Sequence, residues 1–444
     1  MLVSSERVTA LPKTEGGAFA EAYVSLAKSI AADAPRAPLT LCCMSANTDA
    51  RIDLGSTRAL FASRDPEVKR FADLVRERAA RGQGGEIKAE WEGGPDWLAR
   101  HEPVRFSLGG TGPQAAWSLA VLGAPAVVAL ADRSHHMMRQ VDRRILVVES
   151  GKLVRAGSVT PAGRQRPDNF ILEYTRGVSV GGAMPPRSSR IIVRFGDPGL
   201  EDDPEFDALT PSLATEAGAG LVSGFNNVPQ EELSRETGRV FGLARRWRCA
   251  GLGVIHLELA DYATIVARDV ALEASAGAVS SLGMSYSEFL QLCPQATDIA
   301  VGLAKTGDRL KLSRVCVHAD DWAASVTLGD PRVERRALMA GCLLASARAA
   351  AGRPVKPTGP PEGATFGAPP EPFSRKLGDW NYVDCPSPYL ARPASTLGLG
   401  DTFTAGYLFV LGGEHRRTET QTGWRPSMQS ADNTESSEKA RRHR

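Results

Sequence analysis

Apolar and polar positions along this chain fall into two alternating patterns. Short, nearly unbroken apolar runs at 39–44, 126–130, 145–148, 221–224, 252–257 and Arg314–His318 have the length of strands covered on both faces. Between them, longer stretches repeat apolar residues every three or four positions, the period of one helical face. These predict helices over 18–32, 65–82, 114–122, 230–249, 262–274, 286–293, 332–351 and 402–411. In the second of these, Val68, Phe71, Leu74 and Val75 share one face. Strands alternating with helices require crossovers, which are right-handed. The pattern therefore predicts an α/β fold, a doubly wound and mostly parallel sheet with helices on both faces.

Two stretches break the alternation, at about 50–105 and 151–200. There, short β-like runs at 170–174 and 191–195 stand between Gly- and Pro-rich turns, which predicts a small β-rich lid inserted in the main domain. The resulting plan is a helical lead over 1–37, a main domain over 38–412 and a tail over 413–444. The tail is polar and poor in apolar residues, the composition of a disordered segment. Residues 353–375 hold seven prolines and read as a loop without a core of its own. No internal repeat is visible.

Composition narrows the classes. Of 444 residues, 42% are apolar and 23% charged, which fits a soluble globular chain with a sizeable core. The 53 basic and 51 acidic residues nearly cancel, so no electrostatic footprint for nucleic acid or an anionic membrane exists. The first residues lack a signal-peptide pattern and no apolar run has membrane-spanning length, which predicts a cytoplasmic protein. The seven cysteines are scattered, without zinc spacing or a disulfide framework.

The stretch Leu397-Gly398-Leu399-Gly400-Asp401-Thr402 carries the densest chemistry. Glycines free the backbone to turn and uncover its N–H groups. A helix start adds unpaired donors and the positive end of the dipole, which is an anion site. A carboxylate beside it can take a proton from an attacking alcohol. The same residues also suit a turn with Asp401 as N-cap, and the spacing leaves both readings open. Asn47 and Asp49, at the carboxyl end of a buried strand, suit either a ligand contact or an Asx-type turn. His256 and Glu258 share one face of a strand, where the carboxylate can hold magnesium through water or be a hydrogen-bonded fixture. Ser285 and Glu288 have capping-box spacing, and Gly109-Gly110-Thr111 enters a helix without the lysine of a Walker loop. No nucleophile elbow and no dinucleotide fingerprint is present.

Taken in order, several segments resemble the ADP-dependent sugar kinases, the glucokinase and phosphofructokinase family of ribokinase-like fold. They are Asn47-Thr48-Asp49-Ala50, Glu86 after a glycine-rich break, Gly109-Gly110, His256-Leu257-Glu258-Leu259-Ala260, Arg314 to His318, and Pro393 through Thr402. Val222-Ser223-Gly224-Phe225 and Ser281-Leu282-Gly283-Met284 add to the likeness, which spans roughly 40–412. The resemblance implies that Asp401 is the base and that the amides of Gly398, Leu399 and Gly400 form the anion hole. It implies Asn47, Asp49, Glu86, Gly110 and Thr111 at the sugar. It places His318 near the adenine, Thr396, Gly398 and Gly400 at the nucleotide, and Glu258 and Glu288 around Mg2+ or another divalent cation. Two departures stand out: Thr111-Gly112-Pro113 where the family has Gln or Asn followed by Ala-Gly, and Ser285 where it has Asn three residues before the glutamate.

The resemblance thus implies a magnesium-dependent phosphotransferase with ADP as donor and a small-molecule sugar as acceptor, working as a monomer or small homo-oligomer. Glu86 favours glucose over fructose 6-phosphate, while lid arginines (Arg166, Arg176, Arg190) favour a sugar phosphate. Two alternatives are an ATP-dependent ribokinase-like carbohydrate or nucleoside kinase and a non-catalytic nucleotide- or sugar-binding regulator.

Overall fold

The computed structural model describes residues 13–196, 199–370 and 374–422. Among them, the apolar runs become an 11-stranded sheet. In chain order its first strands are β1 (Thr40–Cys42), then, after three lid strands introduced below as β2 to β4, β5 (Ala126–Val128), β6 (Leu146–Glu149) and β7 (Lys152–Arg155). The others follow two further lid strands: β10 (Ala219–Val222), β11 (Ile255–Glu258), β12 (Ser281–Ser285), β13 (Arg314–His318), β14 (Trp322–Thr327), β15 (Ser374–Leu377) and β16 (Trp380–Pro386). Their spatial order is β15-β16-β14-β13-β12-β11-β10-β1-β5-β6-β7. Neighbours from β13 across to β6 run parallel, whereas β14, β16 and β15 at one edge and β7 at the other run antiparallel.

The mostly parallel sheet expected from the sequence is present. Helices bury its two faces in two separate apolar clusters, one around Leu119, Leu343 and Tyr407, the other around Phe241, Trp247 and Phe289. From β1 the chain winds out through β5 and β6, then returns to β10 on the other side of β1 and winds the opposite way. The crevice between the carboxyl ends of β1 and β10 is therefore the topological switch point, where open α/β sheets bind ligands. The Ser45 and Ser223 hydroxyls meet there at 3.2 Å.

The second sheet has five strands in the order β3-β9-β8-β2-β4, that is Gly85–Lys88, Ser189–Arg194, Asn169–Tyr174, Asn47–Asp53 and Arg105–Gly109. A third apolar cluster around Phe71, Trp91 and Phe170 packs it against the helix Pro66–Ala80. This sheet begins at Asn47, so the strand carrying Asn47 and Asp49 belongs to the lid side of the crevice. Lys152–Arg155, inside the stretch assigned to the lid by composition, instead hairpins onto β6 at the far edge of the large sheet.

The last helix, Leu399–Thr422, continues past the point where polar composition predicted a disordered tail at 413. Its final turns are held by side chains: His415 accepts the Gly253 N–H at 3.0 Å, and Arg417 pairs with Asp33 at 3.5 Å. The rest of the expected tail, 423–444, lies outside the described residues, as does the start of the helical lead. No helix among the described residues is long and apolar enough to cross a membrane.

Candidate active site

The glycine stretch singled out from the sequence sits at the start of Leu399–Thr422, and backbone geometry explains its composition. Gly398 has φ +66°, and a Cβ there would lie 2.4 Å from the Arg348 guanidinium. Any other residue would be strained and would displace a buried cation. The first helical bond runs from the Thr402 N–H to the Gly398 carbonyl at 3.0 Å. The amides before Thr402 thus have no partner within the helix, at a start that Asp401 links to Thr111 and through it to Ser45 at the switch point.

Asp401 stands in that first turn. Burial pushes its carboxyl above the ordinary range, while the Arg348 cation and a hydrogen bond from the Thr111 hydroxyl pull it back down. Asp49 is its neighbour in charge. Burial, and next the Asp401 charge, push the Asp49 carboxyl up to about 8, against the pull of Asn47, Arg51 and Arg348. Asn47 donates to Asp49 at 2.6 Å. The Asn47–Asp49 pair faces Gly109 across the β2–β4 ladder, where a Cβ would come within 2.3 Å of both side chains. Only glycine leaves room for them. Gly110 follows and its helix holds Thr111, whose N–H donates to Ser45 at 3.1 Å. The position that departs from the family pattern therefore touches both the switch point and Asp401.

Arg348 is the residue that sequence reasoning missed. It is 3% exposed, donates to the Thr402 hydroxyl at 2.9 Å, and lies with its guanidinium carbon 5.7 Å from the Trp117 ring centre. Its Nε has no hydrogen-bond partner. Burial lowers its pKa to about 10, so it remains charged at neutral pH. It is one arginine in an arginine-rich chain, on a helix with no motif, and nothing local marks it.

Glu258 ends β11 on the other side of the helix start. It accepts from His256 at 2.9 Å, from His318 at 3.3 Å and from the Thr404 hydroxyl at 3.0 Å. Burial alone would raise its pKa, but the two histidines outweigh burial and hold it at about 2. His318 is engaged there, 4.8 Å from the Phe403 ring, with its own pKa raised by Glu258 against desolvation. Glu288 closes a complete capping box with Ser285, accepting the Ser285 N–H at 2.7 Å. Burial, with the charges of Glu258 and Asp261, raises it to about 7. No group of three or more His, Cys, Asp or Glu among the described residues is arranged to hold a metal directly. Buried Glu258 and half-buried Glu288, whose charges repel, are carboxylates that a divalent cation would complement through water, the usual mode for phosphate-bound magnesium. The residues fit the ion in that indirect sense.

Glu86 lies on β3, at the edge of the lid. It accepts from Asn226 at 2.9 Å and pairs with Arg194 at 3.3 Å, at the wall of a cavity of about 570 Å³ between lid and large sheet. Of the lid arginines, Arg166 is spent on buried Glu201. Arg190 acts electrostatically on both Asp401 and Glu86, and its Nε is buried without a partner. Thr396 Oγ1, just before the glycine turn, is likewise buried and unpartnered.

A family model described as "ADP-specific Phosphofructokinase/Glucokinase conserved region" matches residues 71–410. Among solved structures, an ADP-dependent kinase complexed with fructose-6-phosphate and ADPbetaS is similar at 17% identity, with TM-score 0.71 over 89% of this chain and 98% of that one. A hypothetical ADP-dependent phosphofructokinase from Pyrococcus horikoshii OT3 aligns at 18% identity and TM-score 0.67, covering 86% and 99%. A last common ancestor of ADP-dependent phosphofructokinases from Methanosarcinales aligns at 17% and 0.63, covering 90% and 99%. No curated protein sequence matches. At these identities the structural likeness shows a shared fold.

Proposed function

The chain belongs to the ADP-specific phosphofructokinase and glucokinase family, the ADP-dependent sugar kinases, and from that premise we propose that it phosphorylates glucose with Asp401 as base. One observation carries the reading: Asp401 sits in the first turn of a helix, linked through Thr111 to Ser45 at the switch point and close enough to the Asn47–Asp49 pair to raise Asp49. In this arrangement the acceptor hydroxyl lies between Asp401 and the β-phosphorus of ADP. Its oxygen forms the new P–O bond as its proton passes to the Asp401 carboxylate. The bond between that phosphorus and the bridging oxygen breaks, its electrons stay with that oxygen, and AMP leaves.

The other groups hold and neutralise. The amides of Gly398, Leu399 and Gly400 cradle the transferred group, and Arg348 and the buried Thr396 hydroxyl lie at the same turn. Positioning and charge neutralisation of this kind supply most of the catalysis in phosphoryl transfer. Asn47, Asp49, Gly110 and Thr111 orient the sugar. Glu258 and Glu288 would hold a magnesium ion through water, and the ion would neutralise donor phosphate charge.

Glu86 supports glucose, since a carboxylate at the sugar site accepts from a hydroxyl and repels a phosphate. Arg190 supports the second reading, fructose 6-phosphate, because a guanidinium whose buried Nε has a spare donor suits a phosphate. The solved neighbour bound to that sugar points the same way. The test offers purified protein glucose or fructose 6-phosphate with ADP or ATP and magnesium. The reading expects AMP and a phosphorylated sugar from ADP, with glucose preferred. Product from ATP alone removes ADP as donor, and preference for fructose 6-phosphate overturns the glucose assignment.

A further inference from the structure

Glu173 lies on β8 and is given no role above, yet it joins the two sides of the crevice. Its Oε2 accepts from Arg51 Nε at 3.0 Å and Nη2 at 2.5 Å. Its Oε1 accepts from the Ser395 hydroxyl at 2.8 Å and from the Thr396 N–H at 3.4 Å. Arg51 also donates to the Ser395 oxygen at 2.9 Å, and the Leu397 N–H donates to it at 3.1 Å. The carboxylate is only 19% exposed, so water competes weakly for these bonds.

The chain positions of these partners give the network its meaning. Arg51 is two residues beyond Asp49 on β2, on the same face of the strand. Ser395 and Thr396 immediately precede the Gly398 turn. One carboxylate therefore binds the strand that carries the sugar-side residues and the loop that carries the phosphate-side amides. Thr396 is held by its N–H while its hydroxyl stays buried and unpartnered, free for a nucleotide phosphate.

Resting on the kinase reading above, we propose that Glu173 is a positioning residue that couples sugar binding to nucleotide binding through Arg51 and Ser395. When sugar fixes β2, Arg51 and Glu173 fix the 395–397 loop in the form that accepts ADP. Each ligand then binds more tightly in the presence of the other, and by the same factor.

The experiment measures ADP affinity with and without saturating 6-deoxyglucose, which lacks the accepting hydroxyl and so blocks turnover. If product assays assign fructose 6-phosphate, that sugar is paired with AMP instead. For the wild type the affinity ratio is expected to be about fivefold or more, at the lower end of ordinary coupling. In Glu173→Ala and Ser395→Ala the ratio falls to about one, while affinity for each ligand alone changes by less than about threefold. Glu173→Gln, which keeps acceptors for Ser395 and Thr396 but loses the charge on Arg51, guards against a misfolded alanine variant and is expected to give an intermediate ratio. A full wild-type ratio in Glu173→Gln and Glu173→Ala overturns the proposal, as does a wild-type ratio of one. Wild-type protein that binds neither ligand removes the kinase reading itself, and this proposal with it.

Discussion

Two sets of buried carboxylates flank the helix start at Gly398, and burial has opposite outcomes in them. Glu258 is held at about 2 by two histidines against its burial. Asp49 is pushed up to about 8 by burial and the Asp401 charge, and Asp401 is raised by burial and, to a lesser degree, the Glu258 charge. Desolvation acts in the same direction at all three, so the difference lies in the partners. The Glu258 side is set for permanent charge, which suits the proposed role of holding a divalent cation through water. The Asp401–Asp49 side is pushed the other way, towards holding a proton.

The comparison can be broken at either cluster. The largest effect belongs to Asp401→Asn, which keeps shape and removes the proposed base. Steady-state assays should show kcat lower by on the order of a hundredfold or more. Arg348→Met comes next, since it strips the cation from both acids and loosens the Gly398 turn. It should lower kcat by at least about tenfold, equivalent to about 1.4 kcal/mol of barrier, with Arg348→Lys recovering part of the loss. Glu86→Gln sharpens the substrate side. Losing one charge-assisted bond worth about 1.5–3 kcal/mol should raise the glucose KM by roughly tenfold or more and leave fructose 6-phosphate less affected.

The smallest effect is on stability. Asp49 has a folded pKa far above its unfolded value, so its protonated form favours the fold. That contribution is full below about pH 4 and is lost as pH rises through about 8. Denaturant midpoints should therefore fall between pH 4 and 8 more steeply in the wild type than in Asp49→Asn.

Much of this was legible in the sequence, for a local reason. Parallel strands covered on both faces read as unbroken apolar runs, and the turn at Gly398 writes its constraint into consecutive residues. What stayed hidden is assembled across distance. Arg51 and Glu173 are 122 residues apart, and Arg51 and Ser395 are 344 apart. Arg348 meets Thr402 only because two helices pack side by side. None of these three pairings leaves a trace at fixed spacing. The extension of the last helix to Thr422 was missed because polar composition predicts disorder, whereas His415 and Arg417 are polar residues with partners to reach.

The contrast between the two clusters is tested most directly by the pH dependence of kcat/KM for sugar in the wild type, in Arg348→Met and in Glu258→Gln. The account predicts an acid limb above the ordinary carboxylate range of about 4, moved to higher pH in Arg348→Met and by less, to lower pH, in Glu258→Gln, because the Arg348 cation holds the Asp401 carboxyl down and the Glu258 charge pushes it up. A wild-type limb near pH 4, or one that moves with Glu258 and ignores Arg348, would contradict it.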